Sequence, residues 1–200
     1  TFINPMSFSN SGNLGMTISL FAYGSLGLEL AVIVFMITSI LHFTLGISIW
    51  SGKWSPRFLI KTPVIYAVFL ALSINFFSIE LPKTLTNTTS VLAGITIPLL
   101  LFTMGISLNK ISYKLDYKII ILIILRIFMA FTMAYLIIYL LNIDGIAKNI
   151  ILLQALLPAP IFTYLFASQY NVQPDKVANY LMTSTIISLF TITIFLTLTL

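Results

Sequence analysis

Long apolar runs that never alternate with period two fill most of the chain, and short polar stretches separate them. The runs at 28–50, 58–77, 91–108, 119–141 and 176–200 each reach roughly the 18 to 20 residues a helix needs to cross hydrocarbon. The lack of period-two alternation excludes an outer-membrane barrel, so the pattern predicts an all-α helical bundle. Polar connections are expected at 51–57, 78–90, 109–118, 142–149 and 171–175. Pro63 sits near the start of its run, where a helix tolerates it. The run 91–108 holds Gly94, Pro98 and Gly105 and is expected to bend.

Two further runs are interrupted. Asn10-Ser11-Gly12-Asn13-Leu14-Gly15 opens a half-helix at 14–23, with a turn at 24–27 before the next span. Within 150–170, the stretch Gln154-Ala155-Leu156-Leu157-Pro158-Ala159-Pro160 breaks an otherwise continuous apolar segment. In hydrocarbon an interrupted helix persists only where its freed backbone groups line protein or a watery cavity. Broken apolar helices therefore point to a transporter's substrate site. A plain proline kink is the other reading of the second interruption.

Composition narrows the class. With 59% hydrophobic and 8% charged residues and a mean hydropathy of +1.08, the chain has too little polar surface for a soluble globule. The net charge of +5 would admit an anionic partner, but the basic residues cluster in loops, where topology accounts for them. Lys53, Arg57, Lys110, Lys114 and Lys118 mark 51–57 and 109–118 as cytoplasmic, against single lysines (Lys83, Lys148) at 78–90 and 142–149. That places the C-terminus outside. No cysteine is present, and nothing before Ser9 reads as a signal peptide. Because residue 1 is Thr, the chain is expected to begin partway through a longer protein.

An internal repeat links the interruptions. Leu20-Phe21-Ala22 recurs as Leu165-Phe166-Ala167 and Thr38-Ser39 as Thr183-Ser184, both at an offset of 145 residues, which also superposes the two breaks. Five membrane passages separate the copies, and an odd number inverts the second copy relative to the first. Both half-helices would then aim their N-termini at mid-membrane, each with orphan N–H groups and about half a positive charge. Asn10, Asn13 and Gln154 add amides at that depth. One reading is a pocket for a small organic anion; the other is that the two breaks merely satisfy one another.

The carboxylates Glu29, Glu80, Asp116, Asp144 and Asp175 lie in loops or at helix ends, so no proton carrier is evident. Arg126 lies roughly 12 Å into its span by helical rise, either as a lure for an anion or as a snorkelling or interhelical arginine. His42 could titrate, but a lone histidine hydrogen-bonded between helices is the preferred reading. Glu29 reads as a solvated interface residue. With no cysteine, one histidine and no intramembrane carboxylate pair, neither a triad nor a metal site can be assembled, so an enzyme is not expected.

Phe8-Ser9-Asn10-Ser11-Gly12-Asn13-Leu14-Gly15-Met16, Leu20-Phe21-Ala22-Tyr23-Gly24 and Phe43-Thr44-Leu45-Gly46 resemble motifs of the auxin efflux carrier family of membrane transporters. So do Ile97-Pro98-Leu99, Met104-Gly105-Ile106-Ser107-Leu108 and the Gln154–Pro160 stretch, in family order along essentially the whole chain. The family comprises plant auxin carriers and bacterial transporters of malate- or malonate-like carboxylates, and is related in fold to bile-acid sodium symporters. The resemblance implies ten helices in two inverted five-helix repeats, the fourth and ninth broken and crossing. Residues 1–50 would be the remainder of the first repeat, 51–57 a cytoplasmic loop and 58–200 the complete second repeat, with roughly three and a half helices preceding Thr1. Met16-Thr17 departs from the family's frequent Leu-Pro pair, so the first break must rest on glycine and asparagine.

The expectation is a secondary transporter of small organic anions (malate, malonate or auxin-like acids) working by alternating access. Its substrate-binding candidates are Asn10, Gly12, Asn13, Arg126, Gln154, Pro158 and Pro160. A non-transporting membrane sensor or interaction protein on the same fold is the alternative. No cofactor or metal is expected, and the coupling ion, proton or sodium, stays unassigned. Expected partners are the organic anion, the lipid bilayer and, in an oligomer, a second copy as a homodimer; no nucleic acid is expected. The low charge and Ile/Phe-rich character suggest a bacterial cytoplasmic membrane.

Overall fold

A computed structural model describes residues 1–52, 63–109 and 116–200. Among them every regular element is helical. The elements are α1 (Ile3–Ser7), wide π-helical turns at Ser11–Met16, α2 (Thr17–Leu41), a second set of π turns at His42–Gly46 and α3 (Ile47–Ser51). There follow α4 (Pro63–Phe76), α5 (Lys83–Asn109), α6 (Tyr117–Leu141), α7 (Gly145–Leu156), α8 (Ile161–Gln169) and α9 (Pro174–Thr199). Among the described residues, five stretches are long and apolar enough to cross a bilayer: Ile3–Ser51, Lys83–Ile106, Tyr117–Leu141, Gly145–Gln169 and Pro174–Thr199. The chain is an all-α integral membrane protein that crosses the bilayer several times.

The first stretch is 49 residues long, about 70 Å if straight, against a hydrocarbon core of about 30 Å. It therefore has to fold back, and Gly24 makes the corner with φ 66°, ψ −155°, a backbone conformation that side chains disfavour. Contacts on either side pair as in an antiparallel hairpin. Ser11 Oγ meets Thr38 Oγ1 at 2.7 Å, a Cβ on Gly12 would lie 2.8 Å from the Phe35 ring, and one on Gly27 would run into the Ser19 carbonyl oxygen. The expected turn at 24–27 thus contracts to one residue, because Gly27 is itself helical and packs against the incoming strand of helix.

In the second half α6, α7 and α8 all pack against α9. α6 and α7 form a hairpin around Asn142, whose positive φ of 51° and N–H bonds to the Ile138 and Tyr139 carbonyls close the end of α6. Ala134 and Ile138 of α6, Leu152, Leu153 and Leu156 of α7, and Phe195 of α9 make one core. Leu14 and Ile18 from the first half-helix pack against it. Ala159, Ala178 and Tyr180 belong to a second core, Trp50, Phe166 and Ala167 to a third. Lipid offers helices no hydrophobic reason to associate, so close approach at small residues such as these alanines carries the packing. Phe69, Phe102, Phe128, Tyr139 and Phe190 point outward, the exposure expected of a surface solvated by acyl chains.

Two boundary expectations are corrected. The connection at 78–90 is shorter, because α5 begins at Lys83. Its hydroxyls bond back onto their own helix (Thr86, Thr88 and Thr89 onto the carbonyls of Pro82, Thr84 and Leu85), so the polar stretch is helical rather than a loop. The same helix continues through Gly94, Pro98 and Gly105 to Asn109. Likewise α7 starts at Gly145, leaving only 142–144 as connection where 142–149 was expected. Lys53, Arg57, Lys110 and Lys114, on which the orientation rests, lie outside the described residues, as do 58–62 of the expected second span.

Candidate functional site

The two interruptions meet. At the second, Leu157 takes the extended conformation favoured before a proline (ψ 149°), and Pro160 is extended as well (ψ 147°). The freed backbone groups find partners from across the fold. The Pro158 carbonyl accepts the Asn10 N–H at 2.8 Å, and the Ala159 N–H donates to Ser184 Oγ at 3.2 Å. The Pro160 carbonyl accepts Thr163 Oγ1 at 2.6 Å. The Leu157 carbonyl accepts the Arg126 guanidinium. The breaks thus satisfy each other in part, through Asn10 and Pro158.

At the first interruption Asn10 is an N-cap: its Oδ1 accepts the Asn13 N–H at 3.2 Å, its carbonyl the Gly15 N–H at 3.0 Å, and its Nδ2 points to Met104 Sδ at 3.7 Å. Gly15 is the point of closest approach. A Cβ there would lie 2.7 and 2.8 Å from the Gln154 amide atoms and 2.9 Å from a Leu157 methyl. Gln154 is 5% exposed, and neither of its amide atoms has a hydrogen-bond partner.

Beside this crossing lies a cavity of about 320 Å³. Ser11, Gly12 and Asn13 open one wall of it, and Pro160, Ile161 and Phe162 the wall opposite. Both half-helices therefore begin at the cavity, and α8 begins without a side-chain cap. The positive end of each helix borders the same space, although Asn10 Oδ1 already accepts the Asn13 N–H and the Pro160 carbonyl the Thr163 N–H. Thr38 and His42 on the returning arm and Thr103 on α5 add polar atoms, while Phe35, Phe43 and Leu165 make the remainder apolar.

Of the residues expected at the site, Asn10, Gly12, Asn13 and Pro160 line the cavity; Gln154, Pro158 and Arg126 do not. Gln154 and Pro158 are buried in the crossing itself. Arg126 is buried against the crossing, outside the cavity lining, and donates to the carbonyls of Met6 and Phe8, each at 3.4 Å, as well as Leu157. His42 departs from the interhelical hydrogen bond expected for it. Its ring stacks on Phe8 at 4.3 Å and meets Phe166 edge-on at 5.6 Å, leaving Nε2 without a partner. Glu29 is exposed, as expected.

Sequence reasoning missed Ser184, Met104 and Phe35 as supports of the breaks. A signal for Ser184 existed: the repeated Thr-Ser pair puts Thr38 on Ser11 in one break and Ser184 on Ala159 in the other. Met104 stood within a family-like motif but with no role attached, and Phe35 carried no signal, since an apolar residue in an apolar helix is unmarked.

Residues 48–196 match the family model described as membrane transport protein. Over 194 residues the chain is 25% identical to an uncharacterized transporter of Methanocaldococcus jannaschii, an alignment covering 92% of this chain and 63% of that protein. The chain thus spans less than two thirds of that relative's length.

Proposed function

The chain belongs to the membrane transport protein family, the auxin efflux carriers whose motifs its own resemble, and on that premise we propose that the whole protein is a secondary transporter of small organic anions. The observation that carries this reading is one cavity onto which two half-helices open by their N-termini. Each start contributes about half a positive charge, and together they suit one carboxylate. A volume of about 320 Å³ lies at the small end of ligand pockets, about 300–1,000 Å³. The phenyl rings of Phe35, Phe43 and Phe162 in its wall favour a carboxylate with an apolar body over a strongly hydrophilic dicarboxylate.

In this reading the substrate carboxylate rests between the 11–13 backbone and the start of α8, with Asn13 donating to it. Gln154, Pro158 and Arg126 hold the crossing rather than the substrate. Alternating access would move the crossing against the other helices, with the protein in a bacterial cytoplasmic membrane and its C-terminus outside. The two inverted repeats would supply the two-fold relation such a movement needs.

The test is uptake by the full-length protein in liposomes, comparing labelled indole-3-acetate, malonate and malate. Saturable uptake is expected, best for the acid with the aromatic body, and Asn13→Ala should raise KM about tenfold, the equivalent of about 1.4 kcal/mol of lost carboxylate binding. Folded protein that transports none of these acids in either direction would overturn the reading, and a sensor on the same fold would take its place.

A further inference from the structure

Arg126 is a cation in the membrane interior whose hydrogen-bond partners, among the described residues, are backbone carbonyls. It is 6% exposed. The described carboxylates are engaged or placed elsewhere: Asp116 caps α6 by accepting the Lys118 N–H, Asp144 precedes α7, Asp175 lies in the first turn of α9, and Glu29 and Glu80 are exposed. An unneutralised charge at this depth is costly and persists only with strong partners.

Those partners are three carbonyl oxygens at two helix ends. Met6 and Phe8 close α1, Phe8 being its C-cap, and Leu157 is the C-cap of α7. Phe8 and Leu157 are both extended, with ψ of 147° and 149°, so each carbonyl is released from its helix and free to turn to the guanidinium. Helix starts thus border the cavity, while the released carbonyls of these helix ends turn to Arg126. Unwound carbonyls and half-helix C-termini are the donor set with which broken-helix transporters coordinate an inorganic coupling cation.

We propose that Arg126 is a tethered cation filling the place of a coupling ion: it neutralises the carbonyl cluster permanently, so the crossing needs no sodium to close. Covalent attachment makes the charge a constant of the fold rather than something that binds and leaves. For transport, the consequence is that a sodium gradient does no work on the substrate; this consequence rests on the transporter reading, whereas the structural role of the charge does not.

The experiment is thermal unfolding of the full-length protein in detergent, in NaCl, KCl and choline chloride at equal ionic strength, for wild type, Arg126→Lys and Arg126→Met. The wild type should melt at one temperature in all three salts. Lysine keeps the charge and should stay close to wild type, whereas methionine, similar in reach but neutral, should melt lower by about 5 °C or more. Selective, saturable stabilisation of the wild type by sodium would overturn the proposal, even if neither variant folds. So would a methionine variant as stable as the lysine one, since the carbonyls would then need no cation. In liposomes, wild-type uptake should be equal under inward sodium and potassium gradients, and sodium-driven uptake would count against the proposal. Absence of any uptake would sink the transporter reading while the melting comparison still decides the role of Arg126.

Discussion

The break at 157–160 contains two prolines and the break at 10–16 contains none, yet they face each other across a single crossing. In the second, covalent geometry does most of the work: proline refuses the helix, and the extended backbone at Leu157 and Pro160 follows. In the first, nothing covalent prevents helix. Its shape depends on an asparagine cap, on π turns, and on glycines that let Gln154 and Phe35 come against the backbone. The lesson is that one geometry can be preset by chain chemistry in one copy and imposed by neighbours in the other. The imposed copy should therefore be the more sensitive to added volume, and the preset copy to loss of a buried hydrogen bond.

The largest effect is expected from Gly15→Ala. Its new methyl would sit under 3 Å from both Gln154 amide atoms and from Leu157, an overpacking of about 2–3 kcal/mol. Thermal unfolding of the full-length protein would measure it. Adding Gln154→Ala should recover about 1 kcal/mol or more as a coupling in a double-mutant cycle; strict additivity would show that the two residues do not bear on one another.

Ser184→Ala should come next, at about 1–3 kcal/mol. It orphans the Ala159 N–H, and Ala159 is fully buried, so no solvent can replace the hydroxyl. Chemical denaturation that showed no loss would mean that the prolines alone hold the second break.

The smallest is Asn10→Ala, about 1 kcal/mol for a lost N-cap. The Asn13 N–H that it frees lies at the cavity wall, where solvent can reach it, and the Asn10 N–H bond to Pro158 survives the change. Asn10→Ser should recover most of that loss, because serine caps comparably. An Asn10→Ala cost above that of Ser184→Ala would reverse the comparison and make the first break the principal support of the crossing.

Much of this architecture is legible along the chain, and the illegible part has a common cause. Proline and a positive-φ glycine act on their own backbone, so the second break and the corner at Gly24 are local signals, whereas the first break shows only as a run of asparagine and glycine. The stretch 83–90 misleads for a related reason: its threonines look like loop, but their hydroxyls return to carbonyls one turn back, within the same helix. Gln154 and Arg126 are visible as polar residues at membrane depth, yet nothing local says that one lies flat on Gly15 and the other on carbonyls 118 to 120 residues upstream.

The sequence by itself determined that the chain is a helical membrane protein, where its helices are interrupted, and that the interruptions are paired. Length, hydropathy and the stiffness of proline are properties of segments, and segments keep them wherever they pack. Only the tertiary structure decided that Asn13 and Pro160 share a cavity, that Gln154 and Arg126 stand outside it, and that His42 sits among phenyl rings with Nε2 unpartnered. Those facts depend on which face of each helix meets which neighbour. In lipid that choice is made by close approach and hydrogen bonding between distant residues, because no hydrophobic gain distinguishes one apolar face from another.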